Sequence, residues 1–340
     1  MKTILIDSGT TNSRLRLVDR GSSEILDQLK INIGVRNTAI DGHNEQLKSG
    51  LKDAIEKILE RNSLASKDIR YMVASGMITS DLGVHEVPHI TSPASFDDFA
   101  RKSVVIKLEE FLSIPCIFVP GMKNNTEDIS DSLVFINDYD VMRGEEVETI
   151  GLLKQIEVQG NGIMVLPGSH TKYVAVDNQK NLQSCLSTLG GEILHAIQKE
   201  TILSKSLTTS LVEEIDIEML EKGYEASKKY GFTRSFYHIR LLQMFSTLNE
   251  NQRANYFVGA VIHDDIKALM QTTEHNEVDW VIVGGSDPLR KAFVHLLKYL
   301  GNGWRIIEAN DQQVAASMVF GAQEVASVYL TGNELNVSDY

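Results

Sequence analysis

Three short strand-like runs separated by tight turns open this sequence, and the same three-run grammar returns about 160 residues later. Near the N-terminus the runs cover 3–7, 13–18 and 24–31, with Ser8-Gly9-Thr10-Thr11-Asn12 and Asp19-Arg20-Gly21-Ser22 as the turns. In the second copy 162–166 leads through Pro167-Gly168-Ser169-His170-Thr171 to 172–176, and Asp177-Asn178-Gln179-Lys180 turns into a third run at 182–186. A recurring strand triplet points to an internal duplication, two unrelated α/β domains being the other reading.

After each triplet, helical and strand patterns alternate. The first half carries an amphipathic helix over 45–61, a strand over 69–74 and a closing strand over 114–119. The second half predicts helices over 191–199 and 253–271 around a helical middle at 211–248. A strand over 280–283, a helix over 288–300, a strand over 304–308 and a final helix over 312–330 follow. Antiparallel triplets feeding βαβ crossovers give an α/β layout with both sheet faces covered. A chain of 340 residues outgrows a single core. The expected organisation is therefore two such domains, 1–153 and 154–340, with a cleft between them.

Charge narrows the function classes. With 33 Lys and Arg against 46 Asp and Glu, net −13, the chain lacks the clustered cations that hold a nucleic-acid backbone, so no nucleic-acid partner is expected. Any phosphate it handles must be held by local donors and metal. Two cysteines, Cys116 and Cys185, are too few for a disulfide framework or a four-thiolate metal site. His85, His89 and His170 are too dispersed for a transition metal. The apolar run Thr3-Ile4-Leu5-Ile6 meets Asp7 before it reaches the length of a membrane span or signal peptide, which predicts a cytoplasmic protein without a membrane partner.

The turns carry the chemistry. Asp7 closes a strand, and Gly9, Thr10, Thr11 and Asn12 behind it form a tight turn whose backbone N–H groups can converge on an anion. Asp7 can hold Mg²⁺ through water while the metal bridges phosphate oxygens. Read alone, the same residues also make an ordinary hairpin turn. Gly168, Ser169, His170 and Thr171 repeat the pattern, and Lys172 adds a cation able to neutralise a terminal phosphate. Two such turns in duplicated positions can grip one triphosphate from both walls of a cleft, and neither is a Walker-type P-loop.

Three further segments join them. Gly284 and Gly285 end an apolar run and admit a flat group such as adenine, or simply turn strand into helix. Asp140-Val141-Met142-Arg143-Gly144-Glu145-Glu146 opens a helix. A glutamate there can take the proton of an attacking hydroxyl and Arg143 can pair with an anionic substrate, while glutamates at helix starts equally satisfy the dipole. Gly76, Met77 and Ser80, within Ser75-Gly76-Met77-Ile78-Thr79-Ser80, offer N–H groups and hydroxyls to a sugar.

From residue 3 to about residue 329 this order of turns, helix and Gly-Gly junction resembles the superfamily of sugar kinases, actin and Hsp70 ATPases. Five segments are similar to the 2-dehydro-3-deoxygalactonokinase family. They are Ile6-Asp7-Ser8-Gly9-Thr10-Thr11-Asn12, Ser75-Gly76-Met77-Ile78-Thr79-Ser80, Val141-Met142-Arg143-Gly144-Glu145-Glu146, Leu166-Pro167-Gly168-Ser169-His170-Thr171-Lys172 and Leu189-Gly190-Gly191-Glu192-Ile193. The Met-Arg-Gly-Glu-Glu and Pro-Gly-Ser-His-Thr-Lys runs are the specific ones. Ser8 stands where that family usually has Trp, and Leu189-Gly190-Gly191-Glu192 replaces its usual Met-Thr-Gly-Glu, departures that bear on the sugar pocket.

The resemblance implies an α/β fold of duplicated ribonuclease H-like (actin-like ATPase) domains around an interdomain cleft, sugar on the N-terminal side and nucleotide on the C-terminal side. It implies transfer of the ATP γ-phosphoryl group to the 6-hydroxyl of 2-dehydro-3-deoxy-D-galactonate, a step of galactonate breakdown. ATP and Mg²⁺ are the implied cofactors and a small sugar acid the implied partner; a homo-oligomer is left open. Asp7 would serve Mg²⁺, Gly9 to Asn12 and Gly168 to Lys172 the phosphates, and Gly190, Gly191, Gly284 and Gly285 the nucleotide. Arg143 would take the substrate carboxylate, with Gly76, Met77 and Ser80 beside the sugar. Of the two glutamates Glu145 is favoured as the base, because Glu146 shares a helical face with Ile150 and Leu153.

Rival readings are a kinase for another sugar acid or polyol, an actin- or Hsp70-like ATPase switch, and a polyphosphate hydrolase. The switch lacks an evident extra partner-binding domain, and the hydrolase would favour a basic channel.

Overall fold

The two strand triplets become the leading strands of two sheets with one topology. The computed structural model describes residues 2–126, 133–208, 210–273 and 277–332. Its elements begin with β1 (Lys2–Ser8), β2 (Ser13–Asp19), β3 (Ile25–Ile31), α1 (Val35–Asp41), α2 (Glu45–Arg61), β4 (Ile69–Gly76), β5 (Ile90–Thr91) and α3 (Phe96–Lys102). Then come β6 (Val104–Lys107), β7 (Pro115–Phe118), β8 (Met122–Lys123), β9 (Val141–Met142) and α4 (Glu145–Gln155). The second copy runs β10 (Gly162–Leu166), β11 (Thr171–Val176), β12 (Leu182–Thr188), α5 (Gly190–Glu200), α6 (Ile217–Tyr230), α7 (Phe232–Phe245) and α8 (Glu250–Thr273). It ends with β13 (Trp280–Val283), α9 (Leu289–Leu300), β14 (Arg305–Glu308) and α10 (Asp311–Gly332).

Strand order is β3-β2-β1-β4-β7-β6 in the first sheet and β12-β11-β10-β13-β14 in the second, with β5-β8-β9 as a small third sheet. In each large sheet the hairpin strands pair antiparallel, β1 with β2 and β10 with β11. The strand that follows the crossover then pairs parallel, β4 with β1 and β13 with β10. This shared order is the duplication seen in three dimensions.

Burial explains the elements. Along α2 the buried positions Leu47, Leu51, Ala54, Ile55 and Ile58 recur at helical spacing and pack with Ile4, Ile6, Leu15 and Leu17 in one core. Every residue of β10 is buried, as expected of a central strand covered on both faces. The core of the second sheet joins Ile163, Val165 and Val281 to α6 and α8 through Leu220, Phe257 and Val261.

Two expectations change. The strand at 114–119 is neither the last of the first half, since β8 and β9 follow it, nor the edge of its sheet: β6, the short run Val104-Val105-Ile106-Lys107 that sequence reading passed over, pairs antiparallel outside it with exposed ends. The helical middle is two helices, broken at Gly231, whose φ of +85° ends α6 before α7 begins.

By contacts the chain divides into two compact units. One holds residues up to Glu157, Lys180–Ser184 and those from Ala315 on; the other holds Val158–Gln179 and Cys185–Val314. The single cut between 153 and 154 therefore becomes a division that the chain crosses more than once. The last helix groups with the first unit because glycines let backbones touch. A Cβ on Gly151 would lie 1.7 Å from the Ser317 carbonyl oxygen, and one on Gly321 would lie 1.9 Å from that of Val147.

Candidate active site

In the first unit the site grows from the end of β1. Side chains alternate along a strand, so Ile4, Ile6 and Ser8 share one face and Asp7 lies on the other. Ser8 is fully buried, 2.7 Å from the Ser13 hydroxyl, which in turn donates to the Ile33 carbonyl at 2.7 Å. The residue at position 8 therefore fills the interior of the hairpin. The turn behind it is closed by the Gly9 N–H donating to the Asn12 carbonyl at 2.9 Å, and leaves Thr10 and Thr11 exposed. The start of α1 presses on it: a Cβ on Gly34 would sit 2.5 Å from the carbonyl oxygens of Gly9 and Thr10.

Asp7 faces Arg14 across the hairpin. Burial pushes its carboxyl up, and the nearby charges of Arg16 and then Arg14 pull it down. Arg14 is exposed, whereas Arg16 is 8% exposed, and its Nη1 has no hydrogen-bond partner among the described residues. Sequence reading passed over both arginines, although the alternation in Ser13-Arg14-Leu15-Arg16-Leu17 places them on the face of Asp7.

The parallel register sets Ser75 beside Asp7 and Gly76 beside Ser8. Gly76 has φ +83°, and a Cβ there would lie 2.6 Å from the Ser8 carbonyl oxygen, so this position requires glycine. A tight turn, Met77–Thr79, follows. Met77 is half-buried, and the buried Ser80 donates its hydroxyl to the Met77 carbonyl at 2.7 Å.

The start of α4 closes on the same place, since a Cβ on Gly144 would stand 3.2 Å from Gly76 Cα. Glu145 is partly exposed and accepts from the Arg143 N–H at 3.1 Å. Glu146 is fully buried and accepts from the Gly144 N–H at 2.7 and 2.9 Å. Burial, reinforced by the charge of Glu145, pushes the Glu146 carboxyl up to about 8. Arg143 donates to the Thr79 carbonyl and hydroxyl, both at 2.7 Å, to the Val87 carbonyl at 3.1 Å and to His89 Nδ1 at 3.1 Å. Its terminal N–H groups thus brace the loop after β4. A surface hollow of about 530 Å³, lined by Arg70, Lys107 and Pro115 among others, lies at the opposite end of these strands.

In the second unit two glycine junctions, Gly190-Gly191 and Gly284-Gly285, converge on the turn after β10. A Cβ on Gly191 would lie 1.9 Å from the Gly168 carbonyl oxygen, and one on Gly285, at φ +71°, would lie 2.7 Å from that of Pro167. The Glu192 N–H donates to the Ser169 carbonyl at 2.8 Å, the Gly284 N–H to the Val165 carbonyl at 2.8 Å, and His170 Nε2 lies 3.2 Å from the Glu192 carboxylate. Arg290 pins the loop after Gly285 through Asp287, Glu308 and Asp311 at 3.1, 3.3 and 2.5 Å.

The side chains of Thr171 and Lys172, at the end of this turn, point inward. Thr171, 1% exposed, donates to Asp265 at 3.1 Å, and Lys172 Nζ lies 2.5 Å from the Ser187 hydroxyl. Asp265 is buried against Gly190, where a Cβ would fall 2.2 Å from its Oδ2. Burial pushes its carboxyl up to about 6, held back by the hydroxyls of Thr188 and Thr171. Gly168 and Ser169 remain exposed. Asp265 lay beyond sequence reading, being one acid in the middle of a long helix.

Among the described residues no three His, Cys, Asp or Glu side chains gather to hold a metal. A lone carboxylate at a strand end suits a hard cation held mostly through water, so Asp7 fits Mg²⁺ but not a tightly caged metal. The second turn, with backbone close-packed by glycines, fits a phosphate chain.

Comparison with known proteins gives a consistent picture. The family model described as 2-keto-3-deoxy-galactonokinase matches residues 7–319. No curated protein sequence matches the chain. A provisionally named 2-dehydro-3-deoxygalactonokinase from Sinorhizobium meliloti has a similar crystal structure, with TM-score 0.70 at 20% identity, covering 95% of this chain and 99% of that one. The activator of 2-hydroxyisocaproyl-CoA dehydratase from Clostridium difficile, solved with bound ADPNP, is similar at TM-score 0.51 and 14% identity over 99% of this chain and 98% of that one. These likenesses fix the fold as the duplicated, actin-like ATPase arrangement of α/β domains.

Proposed function

Because the chain belongs to the 2-keto-3-deoxy-galactonokinase family, we propose that it transfers the γ-phosphoryl group of ATP to the 6-hydroxyl of 2-dehydro-3-deoxy-D-galactonate. The observation that carries this reading is the meeting of Asp7, Gly76 and the start of α4 at one end of the first sheet. A carboxylate suited to a metal, close backbone and a partly exposed second carboxylate are what phosphoryl transfer asks of a protein, since its catalysis is mostly positioning and electrostatics.

In this reading Asp7 holds Mg²⁺ through water, and the metal when bound neutralises charge on the phosphate oxygens. Thr10, Thr11 and Asn12 offer N–H groups to phosphate, Gly9 shapes the turn by its own bond to the Asn12 carbonyl, and Arg14 and Arg16 add positive charge beside Asp7. Glu145 takes the proton of the 6-hydroxyl as it attacks. Glu146, buried and pushed up to about 8, stays protonated near neutral pH and organises Gly144. Gly76, Met77 and Ser80 shape the sugar side. The 168–172 turn, Gly190, Gly191, Gly284 and Gly285 take the nucleotide, mainly through backbone groups. No described helix is long and apolar enough to cross a membrane, and the cytoplasm, with its supply of ATP, is the proposed place of action.

The test is a coupled ADP-release assay with ATP, Mg²⁺ and 2-dehydro-3-deoxy-D-galactonate, beside the gluconate epimer and a control without sugar. Release dependent on the galactonate compound is the expected outcome. Release with another acid alone would keep the kinase and change the substrate. Equal release without any sugar would leave only an ATPase.

A further inference from the structure

The guanidinium that the sequence offers as the carboxylate receptor is spent inside the first unit, and the way it is spent creates another donor. Arg143 reaches His89 Nδ1 at 3.1 Å, with its remaining terminal N–H groups on Thr79 and Val87. A guanidinium only donates, so Nδ1 must accept and the imidazole proton is fixed on Nε2. No described residue accepts from that N–H, nor is Nε2 among the buried atoms left without a partner, so the donor reaches solvent.

Burial, then the charges of Arg143 and Lys123, push His89 down to about 4, which keeps the ring neutral at physiological pH. Backbone holds the ring in place: a Cβ on Gly121 would lie 2.8 Å from His89 Cδ2 and 3.2 Å from Arg143 Cβ. The three residues flank one small sheet, His89 just before β5, Lys123 at the end of β8 and Arg143 just after β9. The result is a neutral donor of fixed tautomer in a positive local field. That arrangement favours an anionic oxygen over a hydroxyl.

We infer that His89, through Nε2–H and with the help of Lys123, receives the carboxylate of the sugar acid, and that Arg143 acts on the substrate as a positioning residue by fixing the His89 tautomer. This rests on the sugar-acid kinase reading and names the residues that make the acid preferred.

Asparagine at position 89 keeps an acceptor near Nδ1 and removes the distal donor, whereas glutamine keeps an N–H near Nε2. The experiment measures kcat and KM for the acid, for its amide and for ATP in wild type, His89→Asn, His89→Gln and Lys123→Ala, with melting curves for each. His89→Asn is expected to raise KM for the acid about tenfold, the effect of losing a hydrogen bond to a charged group. The acid-to-amide ratio of kcat/KM should fall by the same factor, with KM for ATP within about twofold. His89→Gln should recover part of the ratio, and Lys123→Ala, at an exposed position, should lower it by a smaller factor. An unchanged ratio in Lys123→Ala and in a folded, active His89→Asn overturns the inference alone. A wild-type chain that phosphorylates no sugar acid overturns the kinase reading and this inference together.

Discussion

The hairpin of the first unit and that of the second share their strand order but expose different chemistry. At the first, a carboxylate and an exposed arginine face each other across the strands, and a partly exposed glutamate stands near the end of β4. At the second, threonine and lysine side chains are turned inward to Asp265 and Ser187, leaving Ser169, the Glu192-paired His170 and main chain crowded by Gly191 and Gly285. A duplicated frame thus fixes where a turn sits without fixing what it does. Under the proposed reading, the first site adds the side chains of Asp7 and Glu145 to its turn, while the second relies more on main chain.

The largest test of that contrast is at the first unit. Glu145→Gln is expected to lower kcat by on the order of 10²–10⁴, the usual worth of a general base, with the melting temperature retained. Glu146→Gln should cost less than about tenfold in kcat. The opposite ranking would move the proton acceptor to the buried glutamate.

At the second unit the ranking should favour glycine over charge. Gly191→Ala places a methyl 1.9 Å from the Gly168 carbonyl oxygen, so it should destabilise the fold by about 1–3 kcal/mol and raise KM for ATP well beyond what Lys172→Met does. Chemical denaturation and steady-state kinetics measure the two effects. A larger KM change in Lys172→Met would show that this turn also works by its side chains.

The smallest effect is a pH-dependent one. The Glu146 carboxyl sits at about 8 in the folded chain against an ordinary value of 4.5. The folded state therefore binds the extra proton, and stability falls as pH rises between those values. Wild type and Glu146→Gln should differ least in pH dependence below pH 4.5. Above it the variant should gain on wild type, until the gap levels off past about pH 8. Thermal melts across that range read the difference, and a variant that lost ground to wild type as pH rose would contradict the buried, protonated glutamate.

Much of this was legible because burial leaves a periodic trace. β1, β2 and β10 show it as alternation or an unbroken apolar run, and α2 shows it as a helical stripe. The inward turn of Glu146 followed from the same spacing. A short trace is easily passed over: β6 is an edge strand with exposed ends, and its apolar run Val104-Val105-Ile106 is only three residues long. Ser8 looked like a pocket residue because of its place beside the turn, but its hydroxyl belongs to the hairpin interior.

Local pattern settled the duplicated triplets, the glycine-marked turns and the acidic start of α4, since backbone geometry and burial act over a few residues. Only the tertiary structure decided which polar groups are left for a ligand. Arg143 is claimed by Thr79 across 64 residues and Thr171 by Asp265 across 94. Hydrogen bonds of such separation depend on how sheets and helices pack, and a partner won in that way leaves no mark in the sequence around either residue.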